Sequence, residues 1–562
     1  MPSFRMVMTP LGGPIRIGSD PGKENVMNMD TEKNRGRLSP RNARPHRFAF
    51  WCDTHIVDRV SACQQRLFEW ARRRTSEYGA DTLVLGGDMT HHADVGPAAY
   101  FVKLVNGIAG STLYLPGNNE TTAIAPDQHD PRVHFVRKAV RLAHWPGHVF
   151  ALPTTNRTDA TAAVTALLAM LPQQGAVLVL AHFPPEQCGA DAVAQLRQTN
   201  LAIDWVCGHR HQRKEHAHGT LRVHQCGGLD PVKVRGHLPE LLVGEWDGAS
   251  LRVVRLQASD TVLLPPERKR FTLGLAYRED AANHLITALD HGVGAIQFHY
   301  LYSSGKPSRS ERDLIERFRG ETKDSFLSLH LPNFKHPGEG LDTADMAPFL
   351  EWAEAAGVDD CTVHTPKVMT RQLYQGEGVF ADSEWAARCL EAYTELARCI
   401  VGVGARLSIE NLYAKDAPED ELDELLSIRP WHLIHLVKAI RSKLVAAGFK
   451  PGEAEKVGVI LDSGHAFRGA KVNKIHGLAD WMDCLGPYLQ LAHIHQVLQV
   501  DGQTRNHTGI ADLYGPLINY HGFLDVLAES VPKPFPLLLE VREREQALLS
   551  LATLRLHPCV ER

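Results

Sequence analysis

Five short blocks in the first half of the chain place metal-binding side chains directly after short apolar runs. These blocks are Asp53-Thr-His55, Gly87-Asp88, Gly117-Asn118-Asn119-Glu120, Ala181-His182 and Gly208-His209-Arg-His211. Because residues that follow parallel strands gather at one edge of an α/β sheet, we expect the five blocks to meet there. Mixed Asp, Asn and His ligands suit pairs of Mn, Fe or Zn ions. Two such ions could hold both the attacking and the leaving oxygen of a phosphoester displacement.

A second set of histidines and carboxylates lies in the other half of the chain, at or just after the ends of apolar runs. Its members are His330, His364, Glu410, Asp462, His465, His493, His495, His507 and Glu540. A buried carboxylate is costly without a cationic partner, and bound metal ions would supply that charge. Spacing does not decide between His493 and His495 as a metal ligand, and we favour His493.

The elements that position these residues fall into two halves. Residues 1–45 lack an apolar period, and we expect a disordered leader there. From 46 to 260, short apolar runs alternate with longer amphipathic stretches, the pattern of an α/β domain. From 271 to 562, helical segments separate eight strand candidates, which predicts a (β/α)8 TIM barrel. The eight candidates centre on 273–276, 295–298, 326–329, 361–363, 407–409, 457–461, 489–492 and 537–539.

Composition narrows the class of protein further. A chain of 562 residues is too long for one core and predicts two or three domains. A net charge of -4 gives no global basic field toward nucleic acid or an acidic membrane. Ten cysteines without CxxC pairs predict reduced thiols in a cytoplasmic protein. We identify no signal peptide and no apolar segment near the ~18 residues of a membrane span.

The first set of blocks resembles the calcineurin-like metallophosphoesterases, whose motifs are D-x-H, G-D, G-N-H-[DE], H and G-H-x-H in this order. The resemblance spans about residues 47–256 and implies an αββα sandwich with a Mn, Fe or Zn pair. The implied ligands are Asp53, His55 and His211 for one metal, Asn118, His182 and His209 for the other, and Asp88 between them.

One position departs from the motifs of that family. The histidine that helps to protonate the leaving group or hold the phosphate is Asn119 here. This change implies a good leaving group, an altered substrate or reduced activity. The candidate catalytic residues in this half are His182 and Asn119.

The second half resembles the xylose isomerase-like superfamily and its endonuclease IV branch. The resemblance rests on Asp462-Ser-Gly-His465-Ala-Phe467, on Glu410-Asn411 and on the closing Glu540, within residues 271–545. The isomerase and epimerase branch uses a four-ligand set, matched by Glu410, Asp462, His493 and Glu540. The endonuclease branch builds a three-zinc site with further histidines, matched by His330, His364, His465 and His507. Its additional Asp, two positions before the loop histidine, is Arg505 here.

Three functions follow as alternatives. The first is a bifunctional hydrolase of phosphate mono- or diesters, with a di-metal site in front and two or three Zn, Mn or Fe ions in the barrel. The second joins the phosphoesterase to a sugar isomerase or epimerase, in which a carboxylate such as Glu410 moves a proton. The third is a nucleic-acid-binding or regulatory protein with decayed sites. We expect a small phosphorylated metabolite or nucleotide as the substrate and no membrane partner, and the charge does not indicate nucleic acid.

Overall fold

The structure of the protein is a computed structural model. It describes residues 44–56, 60–90, 104–120, 132–263, 271–334, 342–413, 426–473, 477–500, 503–531 and 535–560. Residues Pro45–Arg562 form one compact unit. The leader expected at 1–45 and the junction between the two expected domains fall almost entirely outside the described residues. No helix in the described ranges is long and apolar enough to cross a bilayer.

The N-terminal half contains two six-stranded sheets. Its strands are β1 (His46–Trp51), β2 (Thr82–Leu85), β3 (Ser111–Tyr114), β4 (Val133–Phe135), β5 (Val140–Arg141), β6 (His148–Leu152), β7 (Ala176–Ala181), β8 (Ala202–Cys207), β9 (Lys214–His218), β10 (Leu221–Gln225), β11 (Glu240–Trp246) and β12 (Leu251–Gln257). The strand order is β12-β11-β1-β2-β3-β4 in one sheet and β5-β6-β7-β8-β10-β9 in the other. Its described α-helices are Ala62–Tyr78, Arg157–Met170, Ala190–Gln198 and Asp260–Leu263.

The side chains of β7 show how these layers stack. Leu178 and Leu180 belong to the same buried core as Phe50 of the first sheet. Val177 and Val179 point the other way and join a second core that includes helix Arg157–Met170. A strand alternates its side chains between the two faces of a sheet, so a strand buried on both faces separates two apolar layers. The half is therefore an αββα sandwich, as the sequence predicts.

The C-terminal half is a closed eight-stranded barrel. Its barrel strands are β13 (Phe271–Leu275), β14 (Ala295–His299), β15 (Phe326–His330), β16 (Asp360–His364), β19 (Arg406–Glu410), β20 (Val457–Asp462), β21 (Leu489–Ile494) and β24 (Phe535–Leu539). Two hairpins stand outside it, β17 (Tyr374–Gly376) with β18 (Val379–Phe380), and β22 (Gln496–Val500) with β23 (Gln503–Thr508). All neighbouring barrel strands are parallel, and each predicted strand coincides with an observed one.

Helices surround the barrel between these strands. Those described are Ala281–Asp290, Arg309–Glu321, Ala347–Ala356, Thr370–Leu373, Glu384–Gly402, Pro430–Ala446, Pro451–Ala454, Ser463–Asn473, Leu478–Leu485, Tyr520–Ser530 and Arg544–Leu554. Local sequence sets several of the boundaries. Ser308 and Glu311 form a capping box at the start of Arg309–Glu321, and Gly357 ends Ala347–Ala356 in the left-handed conformation. The predicted fold class, a sandwich followed by a TIM barrel, is confirmed.

The two halves pack directly against each other. Arg66 of the sandwich lies 2.6 Å from the Glu529 carboxylate of the barrel half. Asn519 Nδ2 donates to the Pro231 carbonyl oxygen at 3.1 Å. Gly522 is the reason for the close approach, because a methyl group at that position would overlap the same oxygen. The sandwich and the barrel therefore meet through specific polar contacts as well as apolar packing.

Candidate metal centres

The predicted ligands of the N-terminal half converge on one edge of the sandwich. Donor atoms of Asp53, His55 and His211 all lie within 4.8 Å of one another, and so do those of Asp88, His182 and His209. Asn118 Oδ1 is 3.2 Å from His182 Nε2, and Asp88 Oδ2 is 3.4 Å from the same nitrogen. His55 Nε2 lies 4.0 Å from carboxylate oxygens of both Asp53 and Asp88. Asp88 thus lies between the two groups.

The backbone at these ligands adopts an unusual conformation. Five of them are non-glycine residues with positive φ, namely Asp53, His55, Asp88, His209 and His211. Such left-handed residues cost of the order of 1–3 kcal/mol each and cluster at functional sites. Gly87, with φ of 91°, precedes Asp88 because any side chain there would meet the His182 ring. The Gly-Asp motif therefore serves a close approach between two ligands.

The electrostatics of this cluster follow from burial. Burial raises the pKa of Asp53 to about 7, and burial lowers the pKa of His209 to about 3. Burial would also lower the pKa of His182, but the adjacent Asp88 carboxylate raises it to about 9. His211 Nδ1 is buried and makes no hydrogen bond. A cation bound between these groups would interact both with the carboxylate oxygens of Asp53 and Asp88 and with His211 Nδ1.

Glu120 supports the cluster by binding backbone N–H groups beside the predicted ligands. Its carboxylate is buried and accepts hydrogen bonds from the backbone N–H groups of Asp88 at 2.9 Å, Thr90 at 3.0 Å and Gly117 at 2.6 Å, and from that of Met89. It also accepts from the Tyr114 hydroxyl at 3.0 Å. One side chain therefore holds together the two turns that carry Asp88 and Asn118.

Asn119, which replaces the family histidine, contacts the cluster through its side chain. Asn119 Nδ2 donates to Asp88 Oδ2 at 3.1 Å and lies 3.1 Å from His55 Nδ1. Its backbone N–H donates to Asp88 Oδ1 at 2.9 Å. A carboxamide does not exchange a proton near neutral pH, so Asn119 can orient a ligand but cannot protonate a leaving group.

The predicted ligands of the C-terminal half also converge, at the mouth of the barrel. His330 Nε2 and His364 Nε2 each lie 3.2 Å from Glu410 Oε2. His493 Nδ1 lies 3.3 Å from Glu410 Oε1 and 3.2 Å from Glu540 Oε2. These two carboxylate oxygens and His493 Nδ1 are buried, yet none of them makes a hydrogen bond.

His495 completes a second group at the same mouth. His495 Nε2 lies 3.1 Å from both carboxylate oxygens of Asp462. Donor atoms of Asp462, His495, His507 and Glu540 lie within 4.8 Å of one another, and those of His465 group with the same two histidines. Both His493 and His495 therefore reach the cluster, in different groups. Arg505, in contrast, is exposed on β23.

Second hydrogen bonds fix the orientation of the ring in several of these histidines. His330 Nδ1 donates to the Leu331 carbonyl at 2.9 Å, and His465 Nδ1 donates to the Asn411 carbonyl at 2.9 Å. His493 is held through Nε2, which lies 2.7 Å from Gln297 Oε1. A histidine that ligates a metal usually donates its other ring N–H in this way. Each ring thus presents its remaining nitrogen to the cluster.

The carboxylates of the barrel lack conventional counter-charges. Within the described residues, the ion-pair partners of Glu410, Asp462 and Glu540 are all histidines, with no Lys or Arg among them. Burial would raise the pKa of Glu410, but His364 and His493 hold it well below its usual range. Two buried carboxylates, the half-buried Glu540, donor atoms without a well-oriented hydrogen bond and oriented rings together fit a set of divalent cations.

Three residues that support these sites are not among the metal ligands predicted from the sequence. Glu120 lies within the Gly117-Asn-Asn-Glu120 block but acts on backbone N–H groups. Gln297 orients His493, and Asn411 connects the two strand ends by accepting from the Asp462 backbone N–H at 2.7 Å. A polar residue inside an otherwise apolar strand, as at Gln297, is the sequence signal that could have indicated such a role.

A known protein family and several solved structures are similar to parts of this chain. Residues 46–213 match the family model of the calcineurin-like phosphoesterases. No curated protein matches the chain. Among solved structures, a D-tagatose 3-epimerase-like protein is similar at 17% identity and a TM-score of 0.37, covering 50% of this chain and 96% of its own.

Two further solved structures are similar over about half of this chain. The IolI protein with a bound zinc atom shows 14% identity and a TM-score of 0.36, covering 50% of this chain and 96% of its own. A xylose isomerase domain protein from Planctomyces limnophilus shows 14% identity and a TM-score of 0.33, covering 52% and 96%. The N-terminal half of this protein is a calcineurin-like phosphoesterase domain, followed by a closed (β/α)8 barrel.

Proposed function

We propose that the protein is a bifunctional metal-dependent hydrolase of phosphate esters, with a di-metal site in the sandwich and two or three metals in the barrel. The observation that carries the proposal is the convergence of buried donor atoms that make no hydrogen bond. His211 Nδ1 is such an atom in the first site, and Glu410 Oε1, His493 Nδ1 and Glu540 Oε2 are such atoms in the second. Buried polar atoms without a well-oriented hydrogen bond are costly, and a shared cation satisfies several of them together.

In the sandwich, the ligand groups would be Asp53, His55 and His211 on one side and Asn118, His182 and His209 on the other. Asp88 between them would contact both ions. The ions, of the Mn, Fe or Zn type, would neutralise the phosphoryl oxygens and lower the pKa of a bound water. Asn119 would donate a hydrogen bond to the substrate without transferring a proton, which favours esters whose leaving group needs no protonation.

In the barrel, the nine donors support a multinuclear site rather than a single ion. His330, His364 and Glu410 form one part of it. Asp462, His465, His495 and His507 form another, with His493 and Glu540 between the parts. A buried site of this size can hold the oxygens of a phosphate ester while histidines keep the carboxylates paired.

A second candidate for the barrel is a metal-dependent isomerase or epimerase. The observation in its favour is the compact subset of Glu410, Asp462, His493 and Glu540, in which His493 Nδ1 lies between two glutamates. With one ion, either glutamate could move a proton of a bound sugar. The number of ions bound by the barrel therefore separates the two candidates.

The test is metal analysis of the purified full chain together with assays of Asp88→Asn and Glu410→Gln. We expect four or five metal ions per chain, in line with one two-metal site and one site of two or three. Asp88→Asn should lose hydrolysis of an aryl phosphate ester, and Glu410→Gln should lose a second phosphoesterase activity. A sugar interconversion that survives Asp88→Asn but not Glu410→Gln would select the isomerase. A protein that binds no metal in either half would overturn both candidates.

A further inference from the structure

A cavity of about 260 Å³ opens onto the cluster of the sandwich. On one side it is lined by cluster residues, including His55, Asp88, Asn119 and His211. On the other side it is lined by Phe467, Gly477, Leu478 and Leu517, all of which belong to the barrel half. The phosphoesterase site is therefore not enclosed by its own domain alone.

The barrel residues in this cavity form an apolar wall. Phe467 lies on helix Ser463–Asn473, two residues after the barrel ligand His465, so one helix serves both sites. Leu478 is the first residue of helix Leu478–Leu485 and is 6% exposed. Apolar surface in a ligand cavity favours binding of an apolar part of the ligand. The gain in binding free energy is roughly 25 cal/mol for each Å² of apolar surface buried.

Two cations, Lys233 and Arg235, stand between this wall and the cluster. Arg235 is tied to the metal site through its backbone, which donates to the His211 carbonyl at 2.8 Å. Its Nε is buried and makes no hydrogen bond, and no carboxylate of the described residues pairs with it. Burial lowers the pKa of Arg235. A half-buried guanidinium without a carboxylate partner among the described residues can bind an anionic group of a ligand.

The turn that carries both cations is held rigidly between the two halves. The Asp230 backbone N–H donates to the Asp53 carbonyl at 2.9 Å, and Asp230 Oδ1 accepts from the Val232 N–H at 2.9 Å. On the other side, Pro231 accepts from Asn519 at 3.1 Å. The cations are thus positioned by the strand end that supplies a metal ligand and by the barrel.

We propose that the barrel half determines the substrate specificity of the phosphoesterase site, which selects small phosphate esters with an apolar or aromatic organic group. Phe467, Leu478 and Leu517 contact the organic group, and Arg235 binds an oxygen of the phosphoryl group beside the cluster. At about 260 Å³, the cavity lies just below the usual range of protein ligand sites, roughly 300–1,000 Å³, so the substrate is a small molecule. This inference rests on the proposed phosphoesterase function and specifies its substrate class.

The test uses binding, so that it does not depend on turnover. Phenylphosphonate and methylphosphonate are titrated calorimetrically into the full chain loaded with Mn²⁺. The protein should bind phenylphosphonate about tenfold more tightly, in line with the burial of a ring. Phe467→Ala and Leu517→Ala should each reduce that preference severalfold, and Leu301→Ala, which truncates an exposed leucine, should retain it.

Arg235→Gln should weaken the binding of both phosphonates by about tenfold, the value of a charge-assisted hydrogen bond. Arg197→Gln, on the exposed face of helix Ala190–Gln198, is the matched control and should change neither affinity. Equal affinity for the two phosphonates, or a preference that survives both apolar truncations, would overturn the inference. If the protein prefers phenylphosphonate but hydrolyses no phosphate ester, the proposed function is refuted, whereas the proposed binding specificity still holds.

Discussion

Glu120 and Asp88 are joined by a hydrogen bond of 2.9 Å from the Asp88 backbone N–H to Glu120 Oε2. The glutamate accepts hydrogen bonds from four backbone N–H groups in all and from one hydroxyl. It does not enter the metal cluster. Its effect on the cluster is to keep Asp88 in its left-handed conformation, with φ of 53°.

Glu120→Gln should therefore destabilise the protein and loosen the first metal site. A glutamine amide would place N–H groups against backbone N–H groups, and lost hydrogen bonds to a buried charged group cost about 2–3 kcal/mol each. We expect a fall of at least about 3 kcal/mol in the apparent free energy of unfolding in urea, with weaker Mn²⁺ binding. Glu384→Gln, at an exposed helix start, is the control. Unchanged stability of Glu120→Gln would contradict this role.

His495→Ala should remove one metal ion from the barrel. His495 Nε2 lies 3.1 Å from both carboxylate oxygens of Asp462, whereas Arg505 is exposed. We expect one equivalent less zinc by mass spectrometry of the loaded protein, and no loss from Arg505→Ala. If both variants retain the zinc content of the wild type, His495 is not a ligand.

Asn119→His should change the dependence of hydrolysis on the leaving group. The carboxamide cannot donate a proton to a departing alkoxide, so the unmodified protein should be slow on esters with poor leaving groups. In a series of substituted phenyl phosphates, the rate should fall steeply as the pKa of the phenol rises. The histidine variant should flatten that slope. An identical slope in both proteins would show that position 119 takes no part in proton transfer.

His284→Phe should remove part of the pH dependence of stability. His284 is fully buried against Tyr277 and Phe298, both of its ring nitrogens make no hydrogen bond, and burial lowers its pKa to about 3. In the unfolded chain the imidazole has its ordinary pKa near 6.5 and takes up a proton below that pH. The contribution of the neutral ring to the free energy of unfolding is thus fully present above pH 6.5 and is lost as the pH falls below that value.

The loss should amount to about 1 kcal/mol for each pH unit between roughly 6.5 and 4. Urea unfolding at pH 7.5, 6 and 5 should give a smaller decrease for His284→Phe than for the wild type. His291→Phe, on the exposed side of the same helix end, is the control. Parallel curves for the wild type and His284→Phe would exclude this residue as a source of the pH dependence.

Removal of metal ions from the barrel by a chelator should lower the stability of the protein. Without cations, the buried carboxylates of Glu410 and Asp462 and the half-buried carboxylate of Glu540 are balanced, within the described residues, only by histidines. Ligands that bind only the folded state stabilise it in proportion to the logarithm of their concentration. EDTA should lower the thermal midpoint by several degrees, and excess Zn²⁺ should restore it. A midpoint that EDTA leaves unchanged would indicate that the folded chain needs no metal.

The sequence predicts the fold class and the convergence of the ligands because both depend on local signals. Barrel strands such as Phe326–His330 are apolar runs, and most of the predicted ligands lie at or just after the end of one. Short buried strands of the sandwich such as His148–Leu152 are harder to predict, because a short apolar run can equally belong to a buried helix.

Other features depend on tertiary structure. Spacing alone could not show that His493 and His495 enter different groups, because that depends on the direction of β21 at the barrel mouth. The roles proposed for Arg235 and Phe467 could not be predicted from the sequence either. These residues are more than two hundred positions apart and come together only because the two halves dock.

The contact of Gly522 and Asn519 with Pro231 also bears on how such a protein can change over evolutionary time. A gene that retained only the barrel would expose a surface shaped for a missing neighbour, and a gene that retained only the sandwich would lose one side of its substrate cavity. A substitution on either side of the junction therefore changes a contact that the other half makes, so the two halves are constrained together.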